Sequence, residues 1–131
     1  QGLLTDGTPS FDSIPAGFLK GFIDLSFEYE DKYYILDYKT NILQGNNAYC
    51  SDSLNNQMIK LSYDIQGHLY SLAMHKFLAT CKYNYSYQKH FGGYFYVFVR
   101  GLSTDNQTNG VHFYRPSEQR MKIMEVIVNG K

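Results

Sequence analysis

The chain has 131 residues, 12 basic and 12 acidic side chains, and a formal net charge of zero. This length predicts one domain with a real hydrophobic core, and the balanced charge argues against strong nucleic-acid binding by charge alone. No apolar run approaches the ~20 residues of a membrane span, no signal peptide is recognisable, and Cys50 and Cys81 are too few for a zinc or iron–sulfur site. Two isolated thiols suit a reducing, cytoplasmic setting.

The first part of the chain predicts a lead-in followed by a β-hairpin. Residues 1–16 are rich in Gly, Thr, Ser, Pro and Asp, which is typical of a segment with little structure. Alternating apolar residues predict one strand from Gly17 to Glu30 and a second strand from Lys32 to Lys39, with a turn over residues 29–32 between them. Both faces of the second strand are largely apolar, which favours a central strand that is covered on both sides.

A helical region is predicted in the middle of the chain. Residues 40–53 carry Asn, Gly and Ser and predict a loop. Helical spacing of apolar residues then runs from Ser51 to about residue 83, in one or two segments. Three residues could cap its start, namely Ser51, Asp52 and Ser53. Gly67 in its middle costs roughly 1 kcal/mol relative to alanine, which a close approach to a neighbouring element would explain.

The last part of the chain predicts two more strands and a helix. Gly92–Arg100 is a run of strand-forming residues, and a polar loop over 101–110 with an Asn-Gly pair leads to a short strand, Val111–Tyr114. A final helix is predicted over residues 117–128. The alternation of strands and helices predicts an α/β fold, with a mixed central sheet flanked by helices.

Three charged side chains carry the candidate chemistry: Asp24, Asp37 and Lys39. A hairpin would bring the two aspartates together, and residues two apart on a strand share a face, so Asp37 and Lys39 would point the same way. Two carboxylates beside an ammonium group predict a hard-cation site suited to magnesium-dependent phosphodiester hydrolysis. The apolar neighbours of Asp24 favour a buried carboxylate, which is costly unless it is paired or bound to metal. The alternative is a pair of exposed aspartates with Lys39 as a surface charge.

Other polar side chains are open to two interpretations. Gln66 and Tyr70 lie one turn apart on one helix face, either at the site or as a polar pair in the core. His68 and His75 are more typical of surface or core histidines than of metal ligands. Arg100 ends a strand, where it would reach a phosphate or a buried carboxylate. Most aromatic residues follow strand periodicity, which favours core packing over base stacking.

Four stretches of the chain carry a resemblance to a known family, namely residues 21–25, 33–41, 63–70 and 90–101. The chain resembles the RecB-type nuclease family, that is, the nuclease domain of the exonuclease V beta subunit, within the D-(D/E)-x-K nuclease superfamily. The similarity runs from about Gly17 to the last helix. It implies a restriction-endonuclease-like core that cleaves DNA at a Mg²⁺ site, with Mn²⁺ as a substitute.

The resemblance also implies roles and partners. Asp24, Asp37 and the Tyr38 carbonyl would hold the metal, Lys39 would be the catalytic lysine, and Gln66 and Tyr70 would belong to a helical motif behind the site. The parent assembly would pair a helicase motor with RecC-like and RecD-like subunits. It would process double-strand DNA ends in recombinational repair.

The chain departs from the family pattern at its start. The family has an upstream helical part with a histidine that helps to bind metal, whereas residues 1–23 contain no His or Glu. Residues 17–131 are therefore expected to be an N-terminally truncated domain that binds metal weakly, cleaves DNA poorly and self-associates through an uncovered apolar face. One alternative is a non-catalytic DNA-binding or docking module, which the intact Asp37-Tyr38-Lys39 run disfavours. A related subunit with an iron–sulfur cluster is disfavoured by the two scattered cysteines.

Overall fold

The computed structural model describes residues 23–130, in which helices and strands alternate around one sheet. The elements in chain order are β1 (Leu25–Tyr29), β2 (Lys32–Lys39), α1 (Ser51–Lys60), α2 (Tyr63–Cys81), α3 (Tyr87–His90), β3 (Phe91–Phe98), β4 (Val111–Tyr114) and α4 (Glu118–Val128). The sheet has the strand order β1-β2-β3-β4, in which β2 and β3 run parallel and the outer pairs are antiparallel. The predicted α/β class with a mixed sheet is confirmed.

Part of the predicted architecture lies outside the described residues. The lead-in over residues 1–16 and the first part of the strand predicted from Gly17 belong to this portion. Between residues 23 and 130, no helix has both the length and the apolar character that crossing a membrane requires.

The β1–β2 hairpin is confirmed, and its turn sets the register of the site. Glu30 and Asp31 both have positive φ, 49° and 61°. Two consecutive residues in this region make the kind of two-residue turn whose twist matches that of the flanking strands. The pairing runs from Tyr29 opposite Lys32 to Leu25 opposite Leu36. One residue further back, Asp24 therefore lies beside the end of β2 that carries Asp37.

The predicted helical region is two helices, α1 and α2, separated at Leu61 and Ser62. Ser62 has a φ of 59°, a left-handed conformation that interrupts the helix. Cys50 is the N-cap residue of α1, without a side-chain hydrogen bond, so none of the three predicted cap residues holds that position. A turn before α1 ends at Cys50. The Cys50 carbonyl then accepts the first helical hydrogen bond, from the amide of Leu54.

The second half of the chain follows the prediction with shifted boundaries. β3 ends at Phe98 instead of Arg100, because Val99–Gly101 curls into a short 3₁₀ turn. β4 has the predicted bounds, and α4 begins at Glu118 with the Ser117 side chain accepting a hydrogen bond from an amide of the first turn. The four-residue helix α3 was not predicted, since it is too short to show helical periodicity.

The core lies between one face of the sheet and the three longer helices. It includes Ile35, Tyr94, Tyr96 and Phe98 from the strands and Leu54, Met58, Leu72, Leu78, Met121 and Met124 from the helices. Helix α2 approaches the sheet closely at Gly67, where a β-carbon would lie 2.5 Å from the ring of Tyr94. This contact explains the glycine in the middle of a buried helix, because no side chain fits there.

The opposite face of the sheet is aromatic and only partly covered by residues 23–130. The rings of Phe27, Tyr34 and Phe95 stack against one another, and Phe113 packs against Phe95 with 4.7 Å between ring centroids. Phe113 nevertheless remains 47% exposed, and Tyr38 on the same face is 50% exposed. The prediction that β2 is covered on both sides is therefore wrong for this part of the chain, since the helix residues of the core pack on the other face.

This aromatic face leads to a prediction about self-association. We expect the chain to form concentration-dependent oligomers, since exposed contiguous apolar surface favours association. Phe113→Lys should shift the population towards monomer, because it places a charge on that face. Phe77→Lys is the matched control, since Phe77 is 62% exposed on α2. Sedimentation velocity over a concentration series measures the effect, and a wild-type chain that stays monomeric throughout would contradict the prediction.

Candidate active site

The open end of the β1–β2 hairpin brings Asp24 and Asp37 together. Asp24 directly precedes β1, and its Oδ2 accepts a hydrogen bond of 2.9 Å from the backbone amide of Tyr38. The two carboxyl groups lie within hydrogen-bonding reach of each other, and each perturbs the pKa of the other. The predicted proximity of the two aspartates is present in the structure.

The two carboxyl groups have different environments. Asp37 is 4% exposed, whereas Asp24 is exposed to solvent. The expectation that Asp24 is buried is wrong, because it lies at the start of β1, which is an edge strand of the sheet. The hydrogen bond from the Tyr38 amide lowers the pKa of Asp24, while burial raises the pKa of Asp37. A site of this kind holds negative charge at a cost that a bound cation would relieve.

Lys39 approaches Asp37 from the same face of β2, as the strand periodicity predicts. Its Nζ lies 2.6 Å from Oδ2 of Asp37. The contact is a close ion pair with a buried carboxylate oxygen. The side chain of Lys39 is 17% exposed, so its ammonium group is shielded from bulk water on most sides.

Gln66 and two tyrosine rings complete the surroundings of Lys39. The Lys39 Nζ donates a hydrogen bond of 3.4 Å to Oε1 of Gln66, and that same oxygen accepts one of 2.5 Å from the hydroxyl of Tyr96. The Nζ also lies 4.2 Å from the ring centroid of Tyr63 and 5.2 Å from that of Tyr96. The structure thus places Gln66 at the site and not in a separate polar pair of the core.

The other two predicted site residues, Tyr70 and Tyr38, lie nearby. Tyr70 is partly buried, packs against the core one turn after Gln66, and raises the pKa of Tyr96 as one of its neighbours. Tyr38 contributes its amide to Asp24, and its side chain alternates to the face opposite Asp37. Four side chains of the prediction therefore converge, those of Asp24, Asp37, Lys39 and Gln66, while Tyr70 is a neighbour of Tyr96.

Sequence reasoning missed Tyr63 and Tyr96 as members of the site. Tyr96 lies directly opposite Asp37 in the parallel β2–β3 pairing, and it is fully buried. Tyr63 is the first residue of α2, one helical turn before Gln66. The spacing of one helical turn between Tyr63 and Gln66 could have indicated Tyr63. Tyr96 could be identified only from the pairing register of β2 and β3.

The structure gives positions to the residues whose roles were open. The Arg100 Nε donates a hydrogen bond of 2.8 Å to the carbonyl of Thr40, so Arg100 tethers the residue after Lys39. The His90 Nδ1 accepts a hydrogen bond from the Ser86 amide, and its Nε2 lies 3.4 Å from a carboxyl oxygen of Asp31. His90 therefore ties the start of α3 to the hairpin turn, which is a structural role.

The donor set fits magnesium better than zinc. Within residues 23–130, no three or more His, Cys, Asp and Glu side chains converge. Mg²⁺ is usually held by one or two carboxylates and keeps several water ligands, whereas zinc prefers nitrogen and sulfur ligands. Asp24 and Asp37 supply two hard carboxylates within reach of each other, which is the kind of ligand that Mg²⁺ prefers.

A separate cavity of about 440 Å³ lies on the other side of α2. Its walls come from α1, α2, β3, β4 and α4, and they include Asp64, His68 and Tyr94. It is lined by none of the predicted site residues, and the ring of Tyr94 stands between it and Tyr96. The cavity is therefore distinct from the candidate active site.

Comparison with known proteins relates the chain to one group. No protein-family model matches it. The chain is 37% identical over 129 residues, 97% of its length, to the RecBCD enzyme subunit RecB of Escherichia coli (strain K12). It is 39% identical over 120 residues (91% of its length) to RecB of Buchnera aphidicola subsp. Acyrthosiphon pisum, and 52% identical over 88 residues (66%) to RecB of the subspecies Schizaphis graminum. These matches cover 11%, 10% and 8% of the three relatives, so the chain spans about a tenth of their length.

Proposed function

This chain is a RecB-derived domain, and on that basis we propose that it is the Mg²⁺-dependent deoxyribonuclease domain of a RecBCD-type helicase–nuclease. The reaction is hydrolysis of phosphodiester bonds in DNA, of the exodeoxyribonuclease V type, on a restriction-endonuclease-like core. DNA ends that enter recombinational repair are the proposed substrate. RecC-like and RecD-like subunits are the proposed partners.

One observation carries this proposal: the convergence of Asp24, Asp37 and Lys39 at the open end of one hairpin. Asp37 and Lys39 lie 2.6 Å apart, on the central strand and against the core. Burying a charged pair is costly, and its replacement by apolar residues is often neutral or stabilising, so stability alone does not account for the pair. A catalytic role would explain why a charged pair is buried at this position despite the cost in free energy.

The residues of the site have different proposed roles in the reaction. Asp24 and Asp37 would hold the cation, and Mg²⁺ at this position would lower the pKa of a bound water and polarise the scissile phosphate. Lys39 places a compact positive charge where negative charge develops on the phosphate oxygens. Gln66 accepts hydrogen bonds from both Lys39 and Tyr96, which keeps the ammonium group directed towards Asp37.

The metal site gives a direct prediction. We expect the chain to bind Mn²⁺, as a stand-in for Mg²⁺, through the oxygens of the Asp24 and Asp37 carboxylates. Asp24→Asn and Asp37→Asn should each weaken Mn²⁺ binding about tenfold or more, an effect seen when a ligand or its support is lost. Asp105→Asn is the control, since Asp105 is an exposed residue of the distant 102–110 loop. Titration calorimetry measures the affinities. Mn²⁺ binding that is undiminished in both Asp24→Asn and Asp37→Asn would overturn the site.

Cleavage of linear DNA in the presence of Mg²⁺ tests the function itself. We expect slow cleavage by the 131-residue chain, since two carboxylates hold the cation weakly and a net charge of zero gives little attraction to the phosphate backbone. The same sequence joined to the preceding part of a RecB subunit, which would supply the family's histidine ligand, should cleave faster. DNA binding by the longer polypeptide without any metal-dependent cleavage would favour the non-catalytic docking module instead.

A further inference from the structure

Most contacts of the Lys39 ammonium group come from residues outside its own strand. Besides the ion pair with Asp37, its ammonium group meets Oε1 of Gln66 and the faces of two rings. The nearer ring is that of Tyr63, with 4.2 Å between Nζ and the ring centroid. A cation at this distance from a ring face is attracted by the negative π surface, and the attraction grows when water is excluded. At 17% exposure, the Lys39 side chain meets this condition.

The ring of Tyr63 is itself fixed in position. It packs 5.5 Å from the ring of Tyr96 and 6.4 Å from that of Phe98, centroid to centroid. Both partners are fully buried, and Tyr63 begins α2 directly after the left-handed Ser62. By contrast, its hydroxyl group accepts only a long hydrogen bond of 3.4 Å, from the Asn41 side chain. The ring face, and not the hydroxyl, is thus the part of Tyr63 that meets the site.

A flexible lysine side chain needs such a support. Lysine has four rotatable carbon–carbon bonds and a point charge without directional preference, so an ion pair alone leaves several conformations open. Misplacement of a catalytic charge by about 1 Å is enough to slow a reaction by about a hundredfold. The ring of Tyr63 adds a further contact to the ammonium group, beside those of Asp37 and Gln66.

We propose that Tyr63 is a positioning residue for this site, whose ring face holds the Lys39 ammonium group against Asp37 and Gln66. The inference rests on the proposed catalytic role of Lys39 and adds a residue to that machinery. Tyr63 does not touch the reacting atoms and acts through Lys39. Its effect should therefore fall on the rate of the chemical step more than on the binding of DNA.

The position of Lys39 can be tested without any cleavage assay. In a chain labelled with ¹³C at the lysine ε-carbons, the Lys39 ε-protons should resonate upfield of the ordinary lysine position, because the adjacent Nζ lies 4.2 Å from the Tyr63 ring centroid. Lys39→Arg identifies the signal by its disappearance. The upfield displacement should persist in Tyr63→Phe and shrink in Tyr63→Leu to the smaller part that the Tyr96 ring, 5.2 Å from Nζ, contributes. Tyr83→Leu is the matched control, since Tyr83 is 89% exposed after the end of α2. An ordinary Lys39 shift in the wild-type chain would overturn the proposal.

The effect on catalysis is tested in a full-length RecB-type subunit that contains this sequence. Tyr63→Leu should lower the single-turnover rate about tenfold, the order expected for a desolvated cation–π contact, with KM for DNA nearly unchanged. Tyr63→Phe should restore most of the rate. Phenylalanines with one, two and three ring fluorines at this position should then slow cleavage stepwise, since each fluorine weakens the negative ring face.

The outcomes separate this proposal from the function on which it rests. Rates that do not depend on the number of fluorines, or a Tyr63→Phe variant as slow as Tyr63→Leu, would refute a role for the ring face. Absence of cleavage in every form would refute the proposed nuclease function. The NMR measurement would still decide in that case whether Tyr63 holds Lys39.

Discussion

Asp37→Ala and Lys39→Ala are each expected to abolish Mg²⁺-dependent cleavage of linear DNA, with losses on the order of a thousandfold. Asp37→Ala removes a buried metal ligand, and Lys39→Ala removes the positive charge beside it. Initial cleavage rates at saturating Mg²⁺ in a full-length RecB-type subunit measure the effect. Asp105→Ala and Lys60→Ala, which alter exposed charges outside the site, should leave the rate unchanged.

The same variants should remain folded, which distinguishes loss of chemistry from loss of structure. Asp37 is a buried carboxyl group whose pKa is raised, chiefly by burial, so its charged form is disfavoured in the folded chain. In either variant the remaining charge of the ion pair loses its partner, so we expect a lower melting temperature with a retained cooperative unfolding transition. A cleavage rate in either variant close to that of the wild type would refute the site, and loss of the cooperative unfolding transition would indicate a structural role instead.

The second large effect is expected at His68, through pH. His68 is 2% exposed, and its Nδ1–H donates a hydrogen bond of 2.7 Å to the Asp64 carbonyl. Its Nε2 is buried without a partner in the described part of the chain. Burial, with a smaller contribution from the charge of Arg120, lowers the pKa of His68 from 6.5 to about 4. The folded chain therefore keeps His68 neutral at pH values where the unfolded chain already binds a proton.

The sign of the effect follows from this difference. The contribution of neutral His68 to the unfolding free energy is fully present above about pH 6.5. It declines as the pH falls from about 6.5 to about 4 and does not change further at lower pH. The total corresponds to about 3 kcal/mol of unfolding free energy, at about 1.4 kcal/mol for each pKa unit. Denaturant unfolding at a series of pH values should show this decline in the wild-type chain and a flatter profile in His68→Phe.

Parallel pH profiles for the wild type and His68→Phe would contradict the assignment. If His68→Phe proves too unstable to measure, NMR titration of the wild-type imidazole provides a second test. A His68 pKa near the ordinary value of 6.5 would then refute the prediction.

Local patterns were sufficient to predict most of the elements. The β1–β2 hairpin, the two-helix region and the α4 helix follow from periodicity and turn chemistry, which depend on neighbours in the sequence. Short elements such as α3 and the 3₁₀ turn at Val99–Gly101 were missed or absorbed into a strand, because a few residues carry no period. Cover on both sides of β2 was inferred from its apolar faces, but cover depends on where distant segments dock, which neighbours in the sequence do not show.

Some features of the site follow from neighbouring residues in the sequence, and others depend on contacts between distant segments. The shared face of Asp37 and Lys39 follows from the strand period, and the hairpin brings Asp24 beside them. The relative burial of the two aspartates was not predictable in this way, because it depends on which strand forms the edge of the sheet. Tyr96 was missed for a similar reason, since it reaches the site only through the pairing of β3 with β2.

The close packing at Gly67 links protein engineering to catalysis in this domain. Replacement of a helix glycine by alanine is a common way to raise stability. Here the added carbon would push on the Tyr94 ring, which packs edge-on against Tyr96 at 5.7 Å. Tyr96 in turn donates the hydrogen bond that orients Gln66 towards Lys39. A screen for stabilising substitutions should therefore leave Gly67 unchanged. The rings of Tyr94 and Tyr96 limit what the core can accept at this position, and they also take part in aligning Lys39 through Gln66.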